Sequence, residues 1–190
     1  RQKTLFESFS DEQRELIKNR LTINGDIHGY FDDRESWNFL EKMIKESSPS
    51  IVILDSLSHI AGGDIAEREK AIKVLKRLQT LQKETSITLV VIHHTTKMRG
   101  DDITQDSIYG SAVIQQEVDW ALGLFKDNRN IYLKDVLNRY TKTDDNALKL
   151  ILNDNFRFEV DKKIRASNLS TIGDGRADPA NKEKIYDKFV

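Results

Sequence analysis

The chain has 190 residues, of which 32% are charged and 38% hydrophobic, a balance that excludes a disordered chain and a membrane protein and suits one soluble domain with a tail. Thirty Lys+Arg against 31 Asp+Glu give a net charge of -1, which excludes a uniformly basic nucleic-acid coat and leaves room for a local basic patch. There are no cysteines, so disulfides, Cys-ligated zinc, iron–sulfur clusters and thiol catalysis are all removed.

In chain order, residues 4–20 read as one or two helices. Ser10-Asp11 starts the second, because a short side-chain oxygen caps free N–H groups and acids suit the positive helix end. Leu21–Ile27 alternates apolar and polar residues and is expected as a short strand. Residues 33–46 place Trp37, Leu40, Met43 and Ile44 on one helical face. Ile51–Leu54 and Ile87–Ile92 are unbroken branched apolar runs, expected as strands buried on both faces. The segment 64–83 between them is a helix with Ile65, Ile72, Leu75, Leu78 and Leu81 inside and a basic outer face. Strand, helix, strand in that order predicts a parallel pair with a crossover. A loop and a short helix are expected over 105–116. Strands follow at 118–125, 131–137, 147–152 and 156–160, with turns at 128–130 and 153–155, and these are expected to be antiparallel. The expected organisation is a core over 1–160, a flexible connector at 161–180 and the start of a further helix at 181–190. No apolar run approaches the roughly 18 residues that span a bilayer, and no signal peptide opens the chain, so a cytoplasmic location is the default and no membrane partner is expected.

Three segments carry chemistry. In IVILDSL (Ile51–Leu57) an apolar strand ends in Asp55. A carboxylate at the carboxyl edge of a parallel sheet lies where α/β ligands bind. It can hold the water shell of a magnesium ion on a nucleotide. In VVIHHTTK (Val90–Lys97) the neighbouring strand closes on polar groups, and His94 or Thr95 is expected beside Asp55 within reach of a phosphate. In YGSAVIQQEVDWALGL (Tyr109–Leu124) Gly110-Ser111 opens a short helix and Asp119 precedes a strand.

Together, IVILDSLSHIAGGD, VVIHHTTK and GSAVIQQEVDWALGL resemble in order and spacing the RecA-like ATPases of the plasmid RepA type, relatives of the hexameric replicative helicases. The likeness covers roughly residues 50–126, with weaker agreement to about 160. It implies an α/β RecA-like P-loop NTPase core, a parallel sheet followed by antiparallel strands. It further implies ATP and Mg2+ as cofactors, a homo-oligomeric and hexameric ring with ATP between subunits, and single-stranded DNA as a partner in plasmid, phage or mobile-element replication. Carried over, Asp55 matches the Walker B acid and metal ligand, with Ser56 beside it. His94 matches the γ-phosphate sensor, with Thr95 next to it. Arg139 in Leu137-Asn138-Arg139 fits the arginine of a Lys-x-Arg pair that reaches into a neighbouring subunit's site, while Leu137 replaces the lysine. Lys97 and Arg99 lie in a segment, 95–108, that in such rings grips nucleic acid, although Asp101 and Asp102 dilute its charge.

The sequence contains no G-x-x-x-x-G-K-S/T loop, whose backbone N–H groups would cradle the phosphates. A chain opening on Arg1 is expected to be trimmed at its N-terminus, and these 190 residues are expected to carry half of an ATP site. A loader or regulator of the same fold without motor action is the alternative within this class. A different class is suggested by Gly25-Asp26-Ile27-His28-Gly29 and Gly63-Asp64, which resemble the first two boxes of calcineurin-like metallophosphoesterases; the G-N-H-E/D box that such a two-metal site also needs is absent.

Overall fold

The protein is described here by a computed structural model covering residues 2–25, 33–61, 68–94, 112–127 and 130–165. Within these, the chain divides into two compact units, with the boundary between Asp119 and Trp120.

The first unit opens with α1 (Gln2–Glu7) and α2 (Asp11–Arg20). Ser10 caps α2 through a reciprocal box: its Oγ accepts from the Gln13 backbone N–H at 3.2 Å, and the Gln13 side-chain oxygen accepts from the Ser10 N–H at 3.0 Å. The strand expected from Leu21 does not form. Leu21 terminates α2, residues 21–25 are irregular, and Ile23 is 78% exposed, since no described strand lies beside this segment to take its hydrogen bonds. Asp33 caps α3 (Arg34–Ser47) by accepting from the Ser36 N–H and hydroxyl, each at 2.9 Å. Ser48, in the left-handed conformation, ends that helix.

β1 (Ile51–Asp55) and β2 (Thr88–Ile92) pair in parallel, from Ile51 opposite Thr88 to Asp55 opposite Ile92. α4 (Leu57–Ile60) and α5 (Arg68–Thr85) lie between them in sequence, and α6 (Ala112–Glu117) follows β2. The core forms on one face of this pair. Leu40 and Ile44 of α3, Leu57 and Ile60 of α4, Val74, Leu75, Leu78 and Leu81 of α5, and Ile114 of α6 are all buried, and Val52, Leu54, Leu89 and Val91 pack into them from the strands.

The expectation that both strands are buried on both faces is therefore corrected. Ile51 is 59% exposed, Ile53 63%, Val90 43% and Ile92 39%, all on the face turned away from that core. The apolar runs are real, but among the described residues the core covers one side of them only.

The second unit is an antiparallel meander of β3 (Trp120–Asp127), β4 (Asn130–Asn138), β5 (Asn146–Leu152) and β6 (Phe158–Arg165). Its small core is Tyr132 and Ala147, packed with Phe125 and Ile164, and the Phe125 and Tyr132 rings stack at 5.2 Å. Two positions differ from expectation. Phe156 sits in the β5–β6 turn with a φ of 58° and donates its N–H to the Asn153 carbonyl, so the strand starts at Phe158. The strand then runs to Arg165, so residues 161–165 are strand and not connector. The rest of that connector and the expected helix at 181–190 lie outside the described residues.

The β5–β6 pairing shifts register between Lys149 and Leu150, which makes Asp161 the extra residue of a bulge. From there its carboxylate meets the Lys149 ammonium at 2.9 Å. The hydrogen bond from Lys149 holds the Asp161 carboxyl below the ordinary carboxylate range and raises Lys149 in turn. Lys163 does the same to Asp144 at the other end of the pair.

Two outcomes are expected. Leu40→Ala, at a site 1% exposed, should cost about 2–5 kcal/mol in urea unfolding. Ile53→Thr, on the uncovered face, should change stability by less than about 0.5 kcal/mol and reduce self-association in sedimentation. For the meander, a lowered Asp161 contributes stability that is present above its unfolded pKa of 3.8 and is lost as pH falls below it. The raised Lys149 contributes stability present below 10.5 and lost as pH rises beyond it. Unfolding midpoints of Asp161→Asn and the parent should therefore differ at neutral pH and converge in acid.

Candidate functional site

Asp55 is the last residue of β1 and is exposed. Its position follows from the chain's next step. Leu57 and Ile60 are 3% and 7% exposed and draw α4 down into the core, so the backbone turns away just after the carboxylate. The Asp55–Ser56 peptide bond is cis. Ser56 is carried inward with that turn: it is 7% exposed, and its Oγ lies 3.1 Å from the Ser58 Oγ. The hydroxyl expected to join Asp55 at a cofactor thus belongs to a buried residue and lies beside Ser58 of α4.

His94 follows β2 by two residues and is also exposed, while His93 beside it is half-buried. The alternation through Val90, Ile92 and His94 matches that through Ile51, Ile53 and Asp55. Asp55 therefore stands on the uncovered face at the carboxyl end of β1, and the exposed His94 follows the carboxyl end of the adjacent parallel strand β2 by two residues. Behind them lies an apolar floor of Ile53 and Ile92. Thr95, Lys97 and Arg99 lie outside the described residues, as do Asp26, His28, Gly63 and Asp64 of the phosphoesterase-like boxes.

Among the described residues there is no group of three or more His, Cys, Asp or Glu that could hold an ion. A single exposed carboxylate suits magnesium, which keeps several waters and takes one or two carboxylates together with substrate phosphates. Asp55 would be the residue that holds it, and His94 the residue placed to meet a phosphate oxygen.

Arg139 is exposed and lies one residue past β4, in the bend that leads to β5, not on the strand itself. Asn138 shapes that bend, its side-chain oxygen accepting from the N–H groups of Tyr140 and Thr141 at 3.0 and 3.1 Å. Arg139 belongs to the second unit and Asp55 to the first.

One structural feature of the first unit gave no sequence signal. Gln79 of α5 donates its amide to the Glu117 carboxylate at 2.7 Å and to the Glu117 carbonyl at 3.2 Å. These residues are 38 apart, and no local spacing rule connects them. With Ile114 buried in the core, this double bond fixes the end of α6 on α5.

A family model described as an AAA domain matches residues 7–100, just under half of the chain. That stretch holds α2 to α5, both parallel strands, Asp55 and His94. The likeness supports an ATP-binding P-loop NTPase class at the coarse level. No curated protein matches the chain. No helix among the described residues is long and apolar enough to cross a membrane.

Gln79→Ala removes the donor from a half-buried carboxylate and should cost about 1–3 kcal/mol locally. Hydrogen exchange is expected to show the loss of protection in α6 first, with β1 and β2 unaffected.

Proposed function

We propose that this chain carries the metal and γ-phosphate half of an ATP site in a DNA-associated ATPase. The observation that supports it is that exposed Asp55 ends β1 and exposed His94 follows the end of β2, its parallel neighbour. In α/β proteins that edge is where nucleotides sit. When bound, Mg-ATP supplies a phosphoryl group for transfer to water. Asp55 would be the residue that holds the magnesium ion through its water shell, and His94 would supply a hydrogen-bond donor to the terminal phosphate.

The phosphate-cradling backbone is not among these 190 residues, and in this reading a P-loop segment supplies it and covers the uncovered sheet face. The resemblance to RepA-type ATPases extends the proposal to a hexameric ring that places ATP between subunits and moves on single-stranded DNA during replication, with Arg139 of one subunit serving its neighbour's nucleotide and Lys97 and Arg99 facing the strand. A loader or regulator of the same fold would share the site and lack strand displacement.

In the P-loop-containing protein, Asp55→Asn should lower ATP turnover by about a hundredfold or more, on the scale of losing an electrostatic stabiliser. The exposed position predicts an unchanged melting temperature. Turnover at the parent rate would remove Asp55 from the site.

A further inference from the structure

The strand pairing of the meander sorts its residues onto two faces. One face holds the small core of Phe125, Tyr132, Ala147 and Ile164, with Lys134 and Lys149 beside it. Tyr132 and Ala147 are 2% and 0% exposed, so this face is closed to water.

The other face is more apolar and is open. Leu124, Leu133 and Leu148 lie side by side across β3, β4 and β5. In the next row Ile131, Leu150 and Val160 lie side by side across β4, β5 and β6. Phe158, opposite Leu152, extends the patch at one end, and Leu122 extends it along β3. Leu124 is 59% exposed, Val160 60% and Phe158 52%. An antiparallel sheet that is apolar on both faces needs cover on both.

The order of residues in the two rows indicates what the cover is. The first row ends in Lys163 on β6, opposite Leu148, and the second ends in Lys126 on β3, opposite Ile131. Each row thus has one lysine, at opposite edges of the sheet. A two-fold axis between the rows, lying in the interface and running across the strands, lays the first row of one copy on the second row of the other. Leu133 then meets the partner's Ile131, and Leu148 meets the partner's Leu150. Lys126 and Lys163 fall over the partner's Leu124 and Val160, at the rim, where their stems pack and their ammonium groups reach water. No lysine of either row faces another, and the apolar centre with a charged rim is the anatomy of a protein interface. Lys163 also keeps its ion pair with Asp144, and Asp135 at the end of the patch keeps its hydrogen bond from the Trp120 indole N–H at 2.9 Å. A face built for an anionic membrane would leave such a lysine without an acid of its own.

We propose that this face is the interface of a two-fold dimer, in which two copies of the chain pack their meanders sheet on sheet. Four strands about 4.8 Å apart and about 24 Å long make a face of about 450 Å² in plan. Side chains standing on it raise the accessible area toward the about 800 Å² per partner that stable interfaces bury. The contact joins the same patch on both copies and closes at two, so it differs from the head-to-tail contacts of a ring. It needs no nucleotide and stands or falls separately from the reading of Asp55 and His94.

The test is sedimentation equilibrium of the 190-residue chain, combined with thiol labelling. A monomer–dimer equilibrium is expected below about 100 μM. It should persist in Ile53→Thr, which alters the uncovered face of the first unit, and should not weaken as salt is raised to about 1 M. Leu124→Lys sets an ammonium against the partner's Lys126 and should weaken dimerisation by about a hundredfold, because a two-fold interface carries each substitution twice. Leu124→Met should dimerise like the parent. Leu124 is exposed, so circular dichroism should report an unchanged fold for both. The chain has no cysteine, so one introduced thiol reports on one position. Alkylation of Leu124→Cys should slow as protein concentration rises through the dimer range. Ile151→Cys, on the opposite face and 49% exposed at the parent residue, should react at a constant rate. The proposal is overturned if the chain stays monomeric at about 100 μM, or if Leu124→Lys dimerises like the parent. It is also overturned if Ile53→Thr abolishes the dimer, or if the two thiols respond to concentration alike. A monomer that binds vesicles of phosphatidylcholine and phosphatidylserine, and loses them in Leu124→Lys, would overturn it by assigning the face to a membrane.

Discussion

The parallel pairing of β1 with β2 is the constraint on which the candidate site depends. Parallel strands cannot be joined by a tight turn, so a crossover must lie against the sheet. Here α5 provides it, and the side chains that hold α5 down (Val74, Leu75, Leu78 and Leu81) are also the centre of the core. The register that follows puts Asp55 opposite Ile92 and His94 just beyond. Asp55 needs no partner in the core, because the alternation of β1 turns it outward. Packing on one face and an exposed carboxylate on the other are two consequences of the same five-residue pairing.

The two units keep their shape by different means. The first has a core assembled from four helices and two strands. The second buries little beyond Tyr132 and Ala147 and relies on its ladder, on stacked rings and on cross-strand ion pairs. Its bulge at Asp161 aims a carboxylate at Lys149, which adds an electrostatic tie where the apolar contribution is small. Exposed pairs of this kind contribute modestly one by one.

Much of this was legible in the residues. The branched runs at 51–54 and 87–92, the periodicity of α3 and α5, and the cap at Ser10 each have a local cause, and each formed near its expected position. Asp55 and His94 were legible for the same reason, since a strand's end fixes where its last polar residue goes. What was not legible depended on neighbours. Leu21 and Ile23 alternate like a strand but have no described strand beside them. A run of four branched residues says that a strand is apolar on both sides, not that both sides are covered within these residues. The inward turn of Ser56 depends on how Leu57 and Ile60 pull α4, and the Gln79–Glu117 bond depends on two segments meeting across the core. The left-handed backbone at Phe156 is set by the turn before it and not by the residue itself.

The central claim is that Asp55 and His94 together face a metal-bound nucleotide. Paramagnetic broadening by Mn2+ with ATP, followed by amide NMR on this chain, tests it most directly, because the effect falls steeply with distance and is visible even for weak binding. The account predicts broadening centred on Asp55 to Leu57 and on His93 and His94, absent with Mn2+ alone at the same concentration and lost in Asp55→Asn. Broadening centred elsewhere, or unchanged by that substitution, would contradict it.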